Sequence, residues 1–275
     1  MLAQGLPIPA NASAADRMSG AVRRACAVPA IAAVVRGVPA FGLTADELKR
    51  FLARDGVKKV AARDLALAMT RGEDGATTVA GALALCSAVG IRVFATGGIG
   101  GVHRDAAYDE SADLVELART SAIVVCAGAK AILDLSATAE RLDTLGVPII
   151  GYRCDELPGF FTEGSGIPLS QRLDSAADIA RAFRAHCALG RPGALLVVQP
   201  LPPSEALDRA LVEDAIAEAL AAARQQRVCG AAVTPFLLAF VERATQGRSL
   251  AANLVLLERN AALAAEVAVA LRAPD

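Results

Sequence analysis

Four short apolar runs rich in β-branched residues, at 91–95, 122–127, 148–150 and 194–198, alternate with stretches patterned for helices, and this rhythm constrains the fold more than any other feature. Arg92 aside, these runs carry no charged side chain, as expected of strands covered by helices on both faces. Helical patterns fill the intervals at 111–120, 137–145 and 176–189. Upstream, 14–26 reads as a helix and 30–35 as a buried strand, and Thr44-Ala45-Asp46-Glu47 is a capping box that opens a helix to about Arg54. Residues 76–89 read as a helix with Thr77 and Thr78 in its first turn, and the last third is mostly helical, at about 204–226, 235–245 and 251–272. The expectation is one α/β domain over residues 1–275: a three-layer α/β/α arrangement with a mainly parallel central sheet. Sites in such sheets gather at the carboxyl ends of the strands.

With 275 residues, 54% of them hydrophobic, the chain is long enough to bury a full core. A net charge of -1 argues against a nucleic-acid binder held by phosphate neutralisation. No apolar run reaches membrane-spanning length, and the first 19 residues lack a basic-then-apolar signal pattern, so no membrane partner is expected. The six cysteines are scattered without a CxxC pair, so a reducing cytoplasmic setting is expected in place of a zinc site or disulfide framework. Of the 28 basic residues only Lys49, Lys58, Lys59 and Lys130 are lysines. Arginine keeps its proton at working pH and forms no Schiff base, whereas a desolvated lysine serves both purposes, so a lysine in so arginine-biased a chain marks a position of chemical interest. Lys49 and Lys58 read as surface helix and loop residues.

The run at 91–95 leads directly into Thr96-Gly97-Gly98-Ile99-Gly100-Gly101-Val102-His103-Arg104. Successive glycines let backbone N–H groups converge on an anion, and His103 and Arg104 add charge-assisted donors. The segment is not a dinucleotide fingerprint: starting GxGxxG at Gly98 puts His103 where the last glycine belongs, and no GK[ST] exists. A tight structural turn explains the glycines equally well; the His-Arg pair favours phosphate. Gly75-Ala76-Thr77-Thr78-Val79 is a second candidate anion site at a helix start, for which a plain N-cap is an equal explanation. Asp105, Asp109, Glu110, Asp113 and Glu116 crowd one segment, and Asp109 and Asp113 share a face if the helix begins early. Such oxygen ligands suit Mg²⁺ or Mn²⁺, although a solvated acidic helix start is the commoner arrangement. Lys130 closes a stretch with no other charge from Ala122 onward. Burial there lowers the pKa of an ammonium and frees its amine as a nucleophile; the alternative is a strand-end lysine that snorkels to solvent.

At these residues the chain resembles the pseudouridine-5'-phosphate glycosidase, or indigoidine synthase A-like, family. The strings that carry the resemblance are FATGGIGGVHR, SADLVELART, VVCAGAK, GVPIIGYRCDELPGFF, RLDS and TPFLLA, in order along nearly the whole chain. The resemblance implies reversible cleavage of the C–C glycosidic bond of pseudouridine 5'-phosphate to uracil and ribose 5-phosphate. It implies a divalent metal, typically Mn²⁺, and a homotrimer. It further implies Lys130 as covalent nucleophile, Asp109 as the metal carboxylate, acting largely through waters, and Lys59 as a phosphate contact. Thr78, Val79, Ser111, Ala112 and Asp113 fall at or beside substrate contacts, and Asn253 and Asn260 match site-facing asparagines; His103 and Arg104 join the substrate-binding set on charge and position alone. One departure stands out. The family's proton-donating glutamate, in a strand ending Glu-Ser-Thr, falls upstream of Met1, so an N-terminally truncated form of the fold is expected. Loss of a positioned acid lowers rates by roughly 10²–10⁴-fold. The alternative expectation is therefore a catalytically impaired paralogue that binds ribose 5-phosphate.

Overall fold

The computed structural model describes residues 2–3, 5–104 and 108–273. The chain enters through α1 (Ala10–Arg24) and builds a small unit from β1 (Ala32–Val35), β2 (Val38–Phe41), α2 (Ala45–Ala53), β3 (Lys58–Val60), α3 (Leu65–Thr70) and β4 (Gly75–Thr77). Helix α4 (Val79–Val89) then leads into β5 (Val93–Ala95), the first strand of the main sheet. β6 (Val102–His103) and α5 (Ala112–Arg119) precede β7 (Ile123–Cys126), and β8 (Leu133–Asp134) and α6 (Leu135–Thr144) precede β9 (Ile149–Tyr152). The sheet closes with β10 (Arg172–Leu173), α7 (Ala176–Ala188) and β11 (Leu195–Val198), and the last third comprises α8 (Arg209–Gln225), α9 (Val233–Ala244) and α10 (Arg248–Arg272).

The main sheet has five strands in the order β10-β9-β11-β7-β5, every neighbouring pair parallel. Its central strands are buried on both faces, which is why their sequences read as continuous apolar runs. Ile123 and Val125 of β7 face Ile179, Phe183, Leu263 and Val267 of α7 and α10, while Val124 and Cys126 face the opposite cluster, with Leu114, Leu117, Leu142 and Ile216 of α5, α6 and α8. Helices on both faces give the expected three layers. Each fully buried branched side chain contributes about 1.5–3 kcal/mol, so this two-sided core outweighs any single cap, typically worth about 1 kcal/mol. The capping box at α2 forms as read: Glu47 N–H donates to Thr44 Oγ1 (3.3 Å) and Thr44 N–H to Glu47 Oε2 (2.8 Å). No helix among the described residues is long and apolar enough to cross a membrane.

Three local expectations are corrected. The strand read over 30–35 is shorter, Ala32–Val35, and lies in a second sheet ordered β2-β1-β4-β3, in which β1 pairs antiparallel with both neighbours. The β1–β2 hairpin turns on Arg36 and Gly37, both at positive φ (48° and 82°), the geometry that fits the twist of a two-residue hairpin. The helix expected from residue 76 begins at Val79, because residues 75–77 are drawn into β4 between β1 and β3 and Thr78 becomes the cap. Lys58 lies in β3, not in a loop, and its ammonium pairs with Glu73 at 2.5 Å.

Candidate functional site

The loops that follow β5 and β7 continue the parallel pairing past the strand ends. Ala127 N–H donates to Gly97 O (2.9 Å), Ile99 N–H to Gly128 O (3.1 Å) and Lys130 N–H to Ile99 O (3.2 Å). This laced pair of loops carries Lys130 at the carboxyl end of the sheet, where such folds place their sites. Gly128 sits at φ 83°, and a Cβ there would lie 2.8 Å from Pro158 O, so the bend requires glycine. Lys130 is half-buried, and no described residue hydrogen-bonds its ammonium. Desolvation pushes its pKa below the ordinary lysine value; the Asp113 carboxylate opposes the shift and the Lys59 ammonium adds to it. Cys126, four residues earlier, is no rival nucleophile: burial pushes its thiol up to about 12.

Asp113 is buried at 4% exposure, and both its oxygens are taken. Oδ1 accepts from Ala80 N–H at the start of α4, and Oδ2 from Gly100 N–H in the glycine turn, each at 2.8 Å. Ser111 caps α5 by accepting from Asp113 N–H (3.2 Å). The two segments read as anion cradles therefore share one internal anion. Within the glycine turn, Ile99, Gly100 and Val102 donate to Gly128 O, Asp113 Oδ2 and Thr138 Oγ1, so these three N–H groups are committed inside the fold. Its glycines serve close approach. A Cβ at Gly98 would meet the Phe160 ring at 2.6 Å, one at Gly100 would meet Ser111 and Asp113, and one at Gly101 would meet Thr138. Gly98→Ala is expected to destabilise the fold by about 1–3 kcal/mol. Urea unfolding reads this as a lower midpoint at unchanged slope, and a wild-type midpoint would contradict it. At the second cradle, Thr78 Oγ1 accepts from Gly81 N–H (3.1 Å) as the cap of α4, and Thr77 Oγ1 donates to Ala32 O (2.9 Å).

Lys59 lies on β3 in register with Ala76, exposed, with its charge close enough to act on Lys130. Val79 opens α4, and Ser111 and Ala112 begin α5, so the loops and helix starts around Asp113 gather these residues. Arg104 does not stand free beside the turn as a phosphate donor. Its Nε and Nη2 donate to Leu133 O and Ala131 O, each at 3.0 Å, and its two Nη atoms grip Glu213 at 2.7 and 3.1 Å, because that carboxylate of α8 lies across from the segment following Lys130. The bond from Arg104 holds the Glu213 carboxyl below the usual carboxylate range. Arg104 thus braces the stretch just past Lys130. His103 is half-buried in β6, with its N–H on Asp109 O (2.9 Å). Asp109 is exposed and lies outside α5, which begins at Ala112, so it does not share a helix face with Asp113. Asp105 lies outside the described residues. Among those described, no group of three or more His, Cys, Asp or Glu side chains forms a cation cage. The exposed carboxylate of Asp109 is a donor of the type a hard divalent ion takes while keeping most of its water.

Asn253 on α10 is buried, and its Oδ1 has no partner among the described residues. The reading from residues alone did not single out Gln199, a buried polar side chain directly after the apolar strand β11.

The chain is a parallel three-layer α/β protein with a desolvated lysine past its strand ends and a buried carboxylate acting on that lysine's charge. The family model for indigoidine synthase A like protein matches residues 1–270, and the chain belongs to that family. It is 60% identical over 271 residues to a protein from Gemmatimonas aurantiaca named pseudouridine-5'-phosphate glycosidase, covering 98% of this chain and 89% of that one. A protein of the same name from Herpetosiphon aurantiacus is 47% identical over 273 residues, covering 98% and 90%. Among solved structures, the prealnumycin C-glycosynthase AlnA in complex with ribulose 5-phosphate superposes with a TM-score of 0.89 at 42% identity, covering 94% of this chain and 86% of that one. An indigoidine synthase A-like protein from Thermotoga maritima superposes with a TM-score of 0.92 at 33% identity, covering 99% and 90%.

Proposed function

We propose that the chain is a lyase that reversibly cleaves the C–C glycosidic bond of pseudouridine 5'-phosphate to uracil and ribose 5-phosphate, with Lys130 as covalent nucleophile. The observation that carries the reading is the desolvated Lys130 amine beside Asp113 and Lys59, in a chain 60% identical to a protein named for this activity. A carbon–carbon bond to a base is inert until its electrons have somewhere to go. In the proposed path the neutral amine bonds to C1' of the sugar, and the ring oxygen leaves C1' with a proton. The base then departs with the bonding pair and takes up a proton at its carbon, while the nitrogen lone pair closes a C=N bond to C1'. Water hydrolyses that imine to open-chain ribose 5-phosphate and returns the free amine. Lys59 binds the phosphate as an exposed ammonium at the mouth of the site. Thr78, Val79, Ser111 and Ala112 line the sugar, and the unpartnered Asn253 Oδ1 accepts from the base. Asp109 would hold a divalent ion such as Mn²⁺, which supplies positive charge to oxygens of the bound substrate.

Lys59→Ala is expected to raise KM for the sugar phosphate by about 10–100-fold, the worth of a charge-assisted hydrogen bond. It is also expected to move the alkaline rise of kcat/KM to higher pH, because the Lys59 ammonium helps to lower the Lys130 pKa. Unchanged KM and an unmoved limb would remove Lys59 from the site. The reading itself is tested by uracil release from pseudouridine 5'-phosphate. Stabilisation of the fold by ribose 5-phosphate without any uracil release would instead identify a sugar-phosphate binder.

A further inference from the structure

Gln199 directly follows β11, Thr96 directly follows β5, and Asn260 lies on α10 above both; all three are buried. Gln199 N–H extends the sheet by donating to Cys126 O (3.0 Å), so its side chain starts from a fixed point beside β7. Gln199 Nε2 donates to Asn260 Oδ1 (3.0 Å), and Asn260 Nδ2 donates to Thr96 O (2.8 Å) and at longer range to Gly97 O (3.4 Å). The direction of this relay is forced. Backbone carbonyls only accept, so Asn260 turns its NH₂ group to them; its oxygen then faces Gln199, which has to present its own NH₂. The relay thereby joins the carboxyl ends of β5, β7 and β11 to α10 where the glycine turn begins.

We propose that Gln199 and Asn260 are positioning residues that hold the turn at 96–101 against the β7 loop and so fix the Asp113 carboxylate opposite Lys130. The turn ends in Gly100 N–H, which grips Asp113 Oδ2, and passes through Ile99, whose N–H and carbonyl lace the loop carrying Lys130. Without Asn260 Nδ2, Thr96 O is left among buried groups, and the turn has reason to swing toward another donor. A displacement of about 1 Å in a reacting geometry costs on the order of 10²-fold in rate. Neither amide is required to touch substrate for this role. The kinetic consequence rests on the proposed function, whereas the geometric one does not.

The experiment combines hydrogen exchange with kinetics on Asn260→Leu and on Gln199→Met, which approximately keeps the volume and removes the donor. The folded variants are expected to exchange the Ile99 and Gly100 amides at least about tenfold faster while amides of β11 keep their protection. In a wild type that releases uracil, kcat per folded molecule is expected to fall about 10–100-fold with KM for the substrate within about threefold, the folded fraction of each variant being measured at the assay temperature because unfolding alone lowers apparent kcat. Wild-type protection of Ile99 and Gly100, or a wild-type kcat, overturns the inference. Should Asn260→Leu not fold, Gln199→Met is read by the same criteria. A wild type that releases no uracil sinks the proposed function, and the exchange pattern then decides the relay alone.

Discussion

Lys130→Ala is expected to lose at least about four orders of magnitude in turnover while keeping its fold, the scale seen when a covalent nucleophile is removed. Lys130→Arg should be as inactive although it retains the charge, because a guanidinium does not deprotonate at working pH and forms no imine. Two residues that differ in charge would then fail alike for a common chemical reason. The stability consequence runs the other way. Desolvation holds the folded-state pKa of Lys130 below its ordinary 10.5. Between the folded pKa and that ordinary value the unfolded chain binds more protons, so stability rises with pH across this window and is lowest below it. Below that window the native protein carries the full cost of desolvating the amine's charge, and Lys130→Met is expected to be no less stable than wild type. A thermal scan at pH 7 checks this, and a marked fall in Tm for Lys130→Met would mean that the ammonium is a structural partner. In wild type, kcat/KM should rise with pH through the depressed pKa and flatten above it.

Asp113→Ala is expected to cost about 2–6 kcal/mol, the sum for two buried donors left unmatched at about 1–3 kcal/mol each. The donors belong to different elements, Ala80 at the start of α4 and Gly100 in the glycine turn, so the damage falls on the junction between them. Asp113→Asn fills the same space but sets an NH₂ group against one of two N–H donors, and it should lie between alanine and wild type in stability. It carries a second signature. The carboxylate raises the Lys130 pKa against desolvation, so its neutral replacement is expected to move the alkaline rise of kcat/KM to lower pH even as the maximal rate drops. Denaturant midpoints and pH–rate profiles measured on the same preparations separate the two effects. Asp113→Asn with wild-type midpoint and an unmoved limb would show that the carboxylate neither braces the turn nor acts on Lys130.

The parallel core was legible because burial on both faces leaves an unmistakable run in Ile123–Cys126 and Leu195–Val198. Lys130 was legible as a position of interest because a lone charge ending such a run has few bland explanations. The β1–β2 hairpin was not, since Val38–Phe41 is short, half-exposed and contains Pro39, and its pairing depends on the backbone at Arg36 and Gly37. The packing role of the glycine turn was not legible for a physical reason. Glycines serve either to turn N–H groups toward an anion or to admit a neighbour, and the neighbours that decide, Phe160 and Thr138, lie far along the chain. Arg104 was likewise assigned to phosphate on local charge, when its partner Glu213 is supplied by α8. The relay from Gln199 to Asn260 joins residues 61 positions apart, so no local pattern discloses it.

The central claim is that the Lys130 amine bonds to the sugar carbon. It is tested most directly by incubating the protein with ribose 5-phosphate, reducing with borohydride and mapping the product by peptide mass spectrometry. The account predicts one pentose-phosphate adduct, on the peptide containing Lys130, and none in Lys130→Ala. An unmodified Lys130 in a preparation that releases uracil, or an adduct formed equally well on Lys59, would contradict it.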